Sequence, residues 1–292
     1  MGITLNIVAL FHQLAQTGAI QGAGKVMELG AQDIKCSGQE QAISRTIEAF
    51  GHTVPGNDSL KAMASGRSDR FYKALGFEYA CVDAGRYPGA VNLDLNFDDV
   101  PADHVNGYDL VTNFGTTEHV YDHARAFKVL HDFTAPGGLM LSCVPFTGII
   151  DHGMVNYQPN FFQALARHNG YEVLGLWVAV STRPKNTLHH MIPWDETLLD
   201  AITLKNGAYL NVVALMRKSH NTPFITPFQT VYESVCVDII AARYPYVIDG
   251  DLVNGERVYA LRRLEHHTGR ELFRELFGKR LPAKLKRLIG RG

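Results

Sequence analysis

The chain has 292 residues, 46% of them hydrophobic and 20% charged, which is typical of a folded globular protein and not of a disordered one. Its 28 Lys and Arg residues nearly balance its 29 Asp and Glu residues. The resulting net charge of −1 argues against nucleic acid as the main partner, because duplex binding depends on a basic surface. The sequence also contains no apolar run of about 18 residues and no basic leader, so we expect no transmembrane segment and a cytoplasmic location.

The first half of the chain alternates predicted helices with short apolar strands. An amphipathic helix over residues 6–16 precedes a glycine-marked linker and the strand Lys25–Leu29. A helix over 39–50 leads through a polar segment to a second helix, which Asp58 caps and which ends at Gly76. The next predicted strands cover residues 79–82, 91–95 and 108–114.

The second half continues the same alternation. Its predicted elements are a helix over 121–133, a Pro-Gly-Gly turn at 136–138, a strand over 139–144, a helix over 160–168 closed by Gly170, and strands over 171–180 and 208–216. Strands that alternate with helices predict a mostly parallel sheet covered on both faces. Ligands of such sheets bind at the carboxyl ends of the strands, so the residues just after each strand are the candidates for a site.

Three parts of the chain are expected. Residues 1–24 form an N-terminal helix and linker, residues 25–216 a single domain, and residues 217–292 a C-terminal extension. The extension ends in a short basic amphipathic tail, for which a solvated terminal helix is the simplest interpretation. Weak contact of this tail with an anionic membrane surface or glycan is the alternative.

The first predicted strand ends in Glu28-Leu-Gly-Ala-Gln-Asp33, in which Gly30 lets the chain turn and a ligand approach the backbone. The dinucleotide fingerprint GxGxxG requires a second glycine at position 32, where a pyrophosphate meets a helix N-terminus. This chain has Gln32 there, and Asp33 adds a negative charge. A cationic or zwitterionic ligand therefore suits the segment better, and a plain strand-to-helix turn capped by Asp33 is the alternative.

Further carboxylates follow the next predicted strands. Asp83 stands at the end of the strand over 79–82, where a carboxylate can accept both hydrogen bonds of a ribose diol. The alternative for Asp83 is a solvated turn residue before Gly85. Asp94 is available to an adenine amino group.

In this order, the segments resemble the class I S-adenosylmethionine-dependent methyltransferases over roughly residues 24–216. The resemblance rests on the Glu-x-Gly strand end, the acidic end of the second strand, the stretch YDLVTNFGTTEHV, the PGG turn and the late strand AYLNVVALMRK. It implies a Rossmann-like, doubly wound α/β fold with a mostly parallel sheet of seven strands, the last of them antiparallel. It also implies S-adenosylmethionine as the cofactor.

The same resemblance implies which residues bind the cofactor. Glu28 and Gly30 would lie near its methionine part, Asp83 would hold the ribose, and Asp94 with Leu95 would hold the adenine ring. Farther along, Asn113 and Phe114 would line the pocket, and Gly115 would give access to the backbone. The complete expected set is Glu28, Gly30, Ala31, Asp33, Asp83, Asp94, Leu95, Asn113, Phe114 and Gly115.

The spacing departs from the family at one point. Asp83 follows Gly30 by 53 residues, where about 20 is usual for such folds. The excess falls in residues 51–76, which we interpret as an insertion near the site, and Asp94 is the alternative ribose ligand.

On the acceptor side, a hydroxyl must lose a proton during methyl transfer, and histidine is the usual base. His119 and His152 follow the strands over 108–114 and 139–144 and are the candidate catalytic residues. We favour His152, because the expected substrate-binding residues Asp151, Asn156 and Tyr157 stand near it. A capping or surface role is the alternative for each histidine. No metal site is expected, since the adjacent histidine pairs elsewhere have no acidic or cysteine partner at ligand spacing.

The sequence therefore predicts methyl transfer to an oxygen, in preference to a nitrogen, of a small molecule or sugar, with a cell-envelope glycan among the candidates. A nicotinamide-dependent oxidoreductase is one alternative, although the missing second glycine and Asp33 count against it. A non-catalytic cofactor-binding or partner-binding module is the other. That module would be favoured if the arm over residues 221–229 filled the pocket beyond the strand ends.

Overall fold

A computed structural model describes residues 2–20, 24–85, 87, 89–182, 190–195, 208–227, 246–253 and 256–263. The basic tail, the linker glycine at position 22 and the histidines at positions 189, 266 and 267 lie outside the described residues. Within the described part of the chain, no helix is both long and apolar enough to span a membrane.

Six helices are described. They are α1 (Leu5–Gln16), α2 (Glu40–Ala49), α3 (Asn57–Ala64), α4 (Ser68–Ala74), α5 (His123–Phe133) and α6 (Pro159–Asn169). Local chemistry sets several of their ends. Asp122 caps α5 by accepting a hydrogen bond from the Arg125 amide. Pro159 occupies the first turn of α6, which ends at Gly170 in the left-handed conformation (φ +60°), as predicted.

Eleven strands are described. They are β1 (Ile3–Thr4), β2 (Lys25–Leu29), β3 (Ile34–Lys35), β4 (Glu78–Val82), β5 (Tyr108–Asn113), β6 (Thr134–Thr147), β7 (Glu172–Thr182), β8 (His190–Pro193), β9 (Ala208–Arg217), β10 (Tyr246–Val253) and β11 (Glu256–Arg263). Seven of them form the main sheet in the order β4-β2-β5-β6-β9-β7-β8. Strands β4, β2, β5 and β6 are parallel neighbours, and β9 lies antiparallel between β6 and β7. The predicted fold class, with its reversed late strand, is confirmed.

Apolar residues cover both faces of this sheet. Side chains alternate along β5, so Val111 enters the core cluster under α5 and α6, whereas Leu110 enters the cluster under α1, α2 and α4. Both residues are fully buried, as expected for a central strand covered on each face. The doubly wound arrangement leaves the carboxyl edge of the parallel strands as the place for a site.

Several predicted elements are wrong. Residues 91–95 form no strand but a single bridge, Val82 to Val91, and the chain then turns on Asp94, which accepts the Asn96 amide. Strand β8 pairs at the opposite edge of the sheet. The main sheet therefore has the expected seven strands, with β8 in place of the predicted strand over 91–95. The Pro-Gly-Gly segment lies inside β6 instead of before it.

The predicted helix ending at Gly76 is also wrong, because it divides into α3 and α4. The division falls at Gly66, whose carbonyl accepts the Ile34 amide. Gly56, not Asp58, is the N-cap of α3. After Gly30 the chain does not enter a helix directly but stays extended through β3 before α2 begins.

Candidate functional site

The ends of three strands meet around Gly30. The Gly30 amide donates to the Val82 carbonyl at 2.7 Å, and the Ala31 amide donates to Asp83 Oδ2 at 2.8 Å. From the other side, the Thr116 hydroxyl donates to the Leu29 carbonyl at 2.6 Å. Parallel pairing of β2 with β4 and β5 therefore brings Asp83 to the Gly30 turn despite their distance in sequence.

Gly30 has φ +72°, a backbone conformation that residues with a side chain rarely adopt. A Cβ atom at this position would collide with the Thr116 hydroxyl. The Gln32 side-chain amide lies across the turn and donates to the Gly30 carbonyl at 3.0 Å and to Thr116 Oγ1 at 3.2 Å. A neutral amide thus occupies the position where the dinucleotide fingerprint has its second glycine.

Glu28 lies beneath this turn and is fully buried. Its Oε2 accepts hydrogen bonds from the Ser68 hydroxyl at 2.6 Å, the Tyr79 hydroxyl at 2.8 Å and the Gln32 amide at 3.0 Å. Its Oε1 has no hydrogen-bond partner within the described structure. Burial raises the pKa of Glu28 to about 7, although the three donors favour the charged form.

The insertion over residues 51–76 packs directly against the turn. The Arg67 guanidinium donates to the Ala31 carbonyl at 3.0 Å and lies 3.4 Å from the Asp33 carboxylate. It also lies 4.7 Å from the centre of the Tyr87 ring. Asp33 is therefore an exposed ion-pair partner here, not a helix cap. Arg67 and Ser68 were missed by sequence reasoning, because nothing local marks which residues of an insertion fold back onto a distant strand.

Four other expected cofactor residues have their side chains engaged elsewhere. Asp94 is exposed in its own turn, and Leu95 is buried in the core cluster under α5 and α6. The Asn113 amide donates to the Thr117 hydroxyl at 2.9 Å, and Phe114 is fully buried in the cluster under α1 and α2. Gly115, with φ +84°, continues directly into the Thr116 contact at the Gly30 turn.

A second group of polar side chains gathers where β5 and β6 end. Glu118 and His119 belong to a 3₁₀ turn after β5, and His152 lies in the loop after β6. His152 Nε2 is 3.6 Å and His119 Nε2 is 3.9 Å from Glu118 Oε1. The two imidazole rings meet edge to face with centroids 5.1 Å apart. The structure thus brings together the two predicted catalytic histidines around a glutamate that the sequence did not single out.

The loop after β6 is fitted tightly to Glu118. The Met154 amide donates to the Glu118 carbonyl at 2.8 Å, and a Cβ at Gly153 would lie only 2.7 Å from Glu118 Cγ. Asp151 turns this loop with φ +54°, a conformation that Asp tolerates better than most residues. The fit leaves Glu118 fully buried.

Neither carboxylate oxygen of Glu118 has a hydrogen-bond partner among the described residues. Burial raises the pKa of Glu118 to about 7, and burial lowers the pKa of His119. A buried carboxylate without donors is costly, so a cation or a proton is expected beside it.

The three expected substrate-binding residues differ in their surroundings. Asp151 and Asn156 are exposed in the loop after β6. Tyr157 is buried, and its hydroxyl lies 3.0 Å from Nδ1 of His123, a third histidine that sequence reasoning missed. The described part of the arm, residues 221–227, packs near Asn169 and His131 at the opposite edge of the sheet. Those residues do not fill the space beyond the strand ends.

Residues 55–195 match the model of a protein family described as a methyltransferase domain. A comparison with curated proteins finds no match. Among solved structures, TehB from Haemophilus influenzae is 12% identical with a TM-score of 0.40, and the alignment covers 70% of this chain and 61% of the TehB chain.

Two further solved structures are similar to this chain at a comparable level. An S-adenosylmethionine-dependent methyltransferase from Mesorhizobium loti is 13% identical, covering 71% of this chain and 97% of its own, with a TM-score of 0.37. A protein from Bacillus halodurans, named as a putative methyltransferase, is 14% identical, covering 74% and 100%, also with a TM-score of 0.37. Such distant similarity does not transfer the role of any residue.

Proposed function

We propose that the chain is a class I S-adenosylmethionine-dependent methyltransferase that methylates a hydroxyl oxygen of a small molecule or sugar, and the match of residues 55–195 to a methyltransferase domain supports this proposal. The observation that carries this proposal is the position of Glu118, His119 and His152 at the sheet edge that also holds the Gly30 turn. One loop connects the two places, since Thr116 contacts the turn and Glu118 follows two residues later.

The residues around Gly30 fit the cofactor. Each Asp83 carboxylate oxygen accepts one backbone amide, from Ala31 and from Gly85, and retains capacity for a second hydrogen bond. A ribose diol is a suitable donor for that remaining capacity. The unpartnered Oε1 of Glu28 suits the ammonium group of a methionine moiety better than it suits a pyrophosphate, which supports this cofactor over a nicotinamide dinucleotide.

When bound, the cofactor supplies a methyl group on a positively charged sulfur, which leaves as a neutral thioether. The chain must hold the acceptor oxygen in line with that methyl group and take up the hydroxyl proton as the new carbon–oxygen bond forms. We assign the proton to the imidazole of His152. Glu118, 3.6 Å from His152 Nε2, stabilises the resulting imidazolium.

The rim of the site favours an acceptor with an apolar face. Phe97, Tyr121, Ile150 and Met154 are large apolar side chains, each more than 60% exposed, in loops at this sheet edge. The Asn96 side chain accepts the Tyr121 amide and so ties the first two of these loops together. Aromatic alcohols and sugar rings both combine an apolar face with a hydroxyl, so both remain candidate acceptors.

Calorimetric titration with S-adenosylhomocysteine, NAD and NADP tests the cofactor. We expect binding of S-adenosylhomocysteine alone, and binding of NAD without S-adenosylhomocysteine would end the proposal. Transfer of a labelled methyl group to matched alcohols and amines of the same carbon skeleton then tests the acceptor. Labelling confined to the amines would replace oxygen by nitrogen as the acceptor atom.

A further inference from the structure

We infer that Glu118, His119 and His152 form a binding site for one divalent metal cation, Zn²⁺ or an ion of similar ligand preference. This proposal departs from the sequence expectation of no metal site. It concerns the binding of the ion itself, so it stands or falls independently of methyl transfer.

The ligand atoms are spaced as a metal site requires. Nε2 of His152 and Nε2 of His119 lie 3.6 and 3.9 Å from Glu118 Oε1. Each of the three residues offers one ligand atom, and these atoms lie within 4.8 Å of one another. Ligands held about 2.1 Å from a tetrahedral zinc are about 3.4 Å apart, so small side-chain rotations close the site. The observed separations are too long for hydrogen bonds, which indicates that the two imidazoles surround the carboxylate without bonding to it.

Charge and burial favour a cation at this point. Glu118 is fully buried, and neither of its oxygens has a hydrogen-bond partner within the described structure. Among the residues that the structure describes, the basic groups within ion-pair distance of Glu118 are the two imidazoles, which are neutral unless protonated. Two neutral imidazoles and one carboxylate are the ligand set of many mononuclear metal sites.

The protein also holds this ligand set in place. Gly153 packs directly against Glu118, and the Met154 amide donates to the Glu118 carbonyl. These contacts hold the loop that carries His152 against the turn that carries His119. The histidine side chains are 47% and 35% exposed, whereas the glutamate is not exposed at all. An ion here would have a protein-bound inner side and open positions toward the solvent, as catalytic metal sites do.

One consequence rests on the proposed function. With a cation bound to Nε2, the neutral His152 ring would carry its proton on Nδ1 and could not accept another, so we expect His152 to act as the base only in the metal-free protein.

The test uses the full-length protein after treatment with a chelator and its removal. Zn²⁺ is titrated by calorimetry, and Co²⁺ is titrated by its visible absorption, which reports coordination geometry. We expect one site per chain in the wild type. Glu118→Gln and His119→Gln should weaken it at least 100-fold, since each removes one of three ligands, whereas the loss of a residue that only supports a ligand costs 10–100-fold. His220→Gln is the matched control, because His220 lies at the opposite sheet edge, bonded to Thr222.

Circular dichroism and thermal melting show whether each variant is folded, and affinities are compared only among folded variants. If Glu118→Gln does not fold, His119→Gln and His152→Gln decide the question. Absence of Zn²⁺ and Co²⁺ binding by the wild type below about 1 mM, where binding is worth about 4 kcal/mol, would overturn the proposal. Binding that the cluster variants retain within tenfold would overturn it equally, because the ion would then be held by other histidines.

Discussion

Glu28 and Glu118 are the same residue type in the same kind of place with opposite surroundings. Both follow or end a parallel strand at the carboxyl edge of the sheet, both are fully buried, and burial raises the pKa of each to about 7. Glu28 accepts three hydrogen bonds on one oxygen. Glu118 accepts none and faces two imidazoles.

This difference shows that burial alone does not define what a carboxylate does. The donors around Glu28 come from the Gly30 turn, from α4 and from β4, so this carboxylate holds these three segments together. The side chain of Glu118 makes no hydrogen bond within the described structure, so both of its oxygens can still accept a ligand. We therefore interpret Glu28 as a residue that positions its neighbours through Oε2 and keeps only Oε1 for a ligand, and Glu118 as a residue that keeps both oxygens for a ligand.

The largest expected effect is on the Glu118 side. His152→Ala should lower turnover by about 10²–10⁴-fold and leave cofactor affinity nearly intact, because it removes the proposed base for the acceptor proton. Steady-state rates with an identified acceptor and calorimetry with S-adenosylhomocysteine measure the two quantities. His220→Ala serves as the control. Near-normal rates in both His152→Ala and His119→Ala would discard the histidine base but not the methyltransferase assignment.

The next effect tests the Glu28 side through pH. The pKa of Glu28 is about 7 in the folded protein and 4.5 without burial, so folding favours the protonated form. Glu28 therefore contributes stability that is fully present below pH 4.5 and is lost as pH rises to about 7, a change of about 3 kcal/mol. The facing groups Ser68, Tyr72 and Tyr79 carry no charge in this window.

Chemical denaturation of the wild type and of Glu28→Gln between pH 4.5 and 8 measures that contribution. The glutamine oxygen can accept the same three donors but cannot titrate. As pH rises, the unfolding free energy of the wild type should fall relative to that of Glu28→Gln. Parallel curves at all pH values would mean that Glu28 titrates normally in the folded protein.

A smaller effect is expected at the neighbouring carboxylate, Asp83. Asp83→Ala should weaken cofactor binding by about 1–3 kcal/mol, roughly ten- to hundredfold, since a buried ribose diol would lose its charged acceptor. Calorimetry with S-adenosylhomocysteine measures the loss, and the exposed Asp94→Ala variant is the comparison. Unchanged affinity in Asp83→Ala together with abolished binding in Asp94→Ala would move the ribose role to Asp94.

The smallest effect is expected when Glu28 loses one of its donors and so comes closer to Glu118, which has none within the described structure. Tyr79→Phe removes one of the three donors while keeping the ring, so unfolding free energy at pH 8 should fall by about 0.5–1.5 kcal/mol. The midpoint of the Glu28 titration should rise, because the charged form loses a hydrogen bond. A control variant, Tyr121→Phe, changes an exposed tyrosine and should leave both quantities unchanged. Equal behaviour of the two variants would show that the Tyr79 bond does not stabilise the carboxylate.

The local pattern of the chain was enough to predict the layers of the fold and the position of Asp83 at a strand end. Strands β2, β4 and β5 are short apolar runs with turns after them, and α6 is marked by Pro159 and Gly170, so both could be located by residue type alone. Asp83 was found because its position at a strand end is itself a local property. The insertion of 51–76 did not displace it, since parallel pairing depends on the strands and not on the length between them.

Tertiary structure decided what the pattern could not contain. The segment over 91–95 has strand-like residues but turns on Asp94 after a single bridge to Val82. Strand β8 pairs instead at the opposite edge of the sheet. Which segment pairs at a sheet edge depends on tertiary contacts more than on its own residue types. Glu118 and His152 are 34 residues apart, and only the fitting of Gly153 against Glu118 buries the carboxylate and brings the histidine to it. Burial and long-range contact belong to the assembled fold, so the cluster is visible only there.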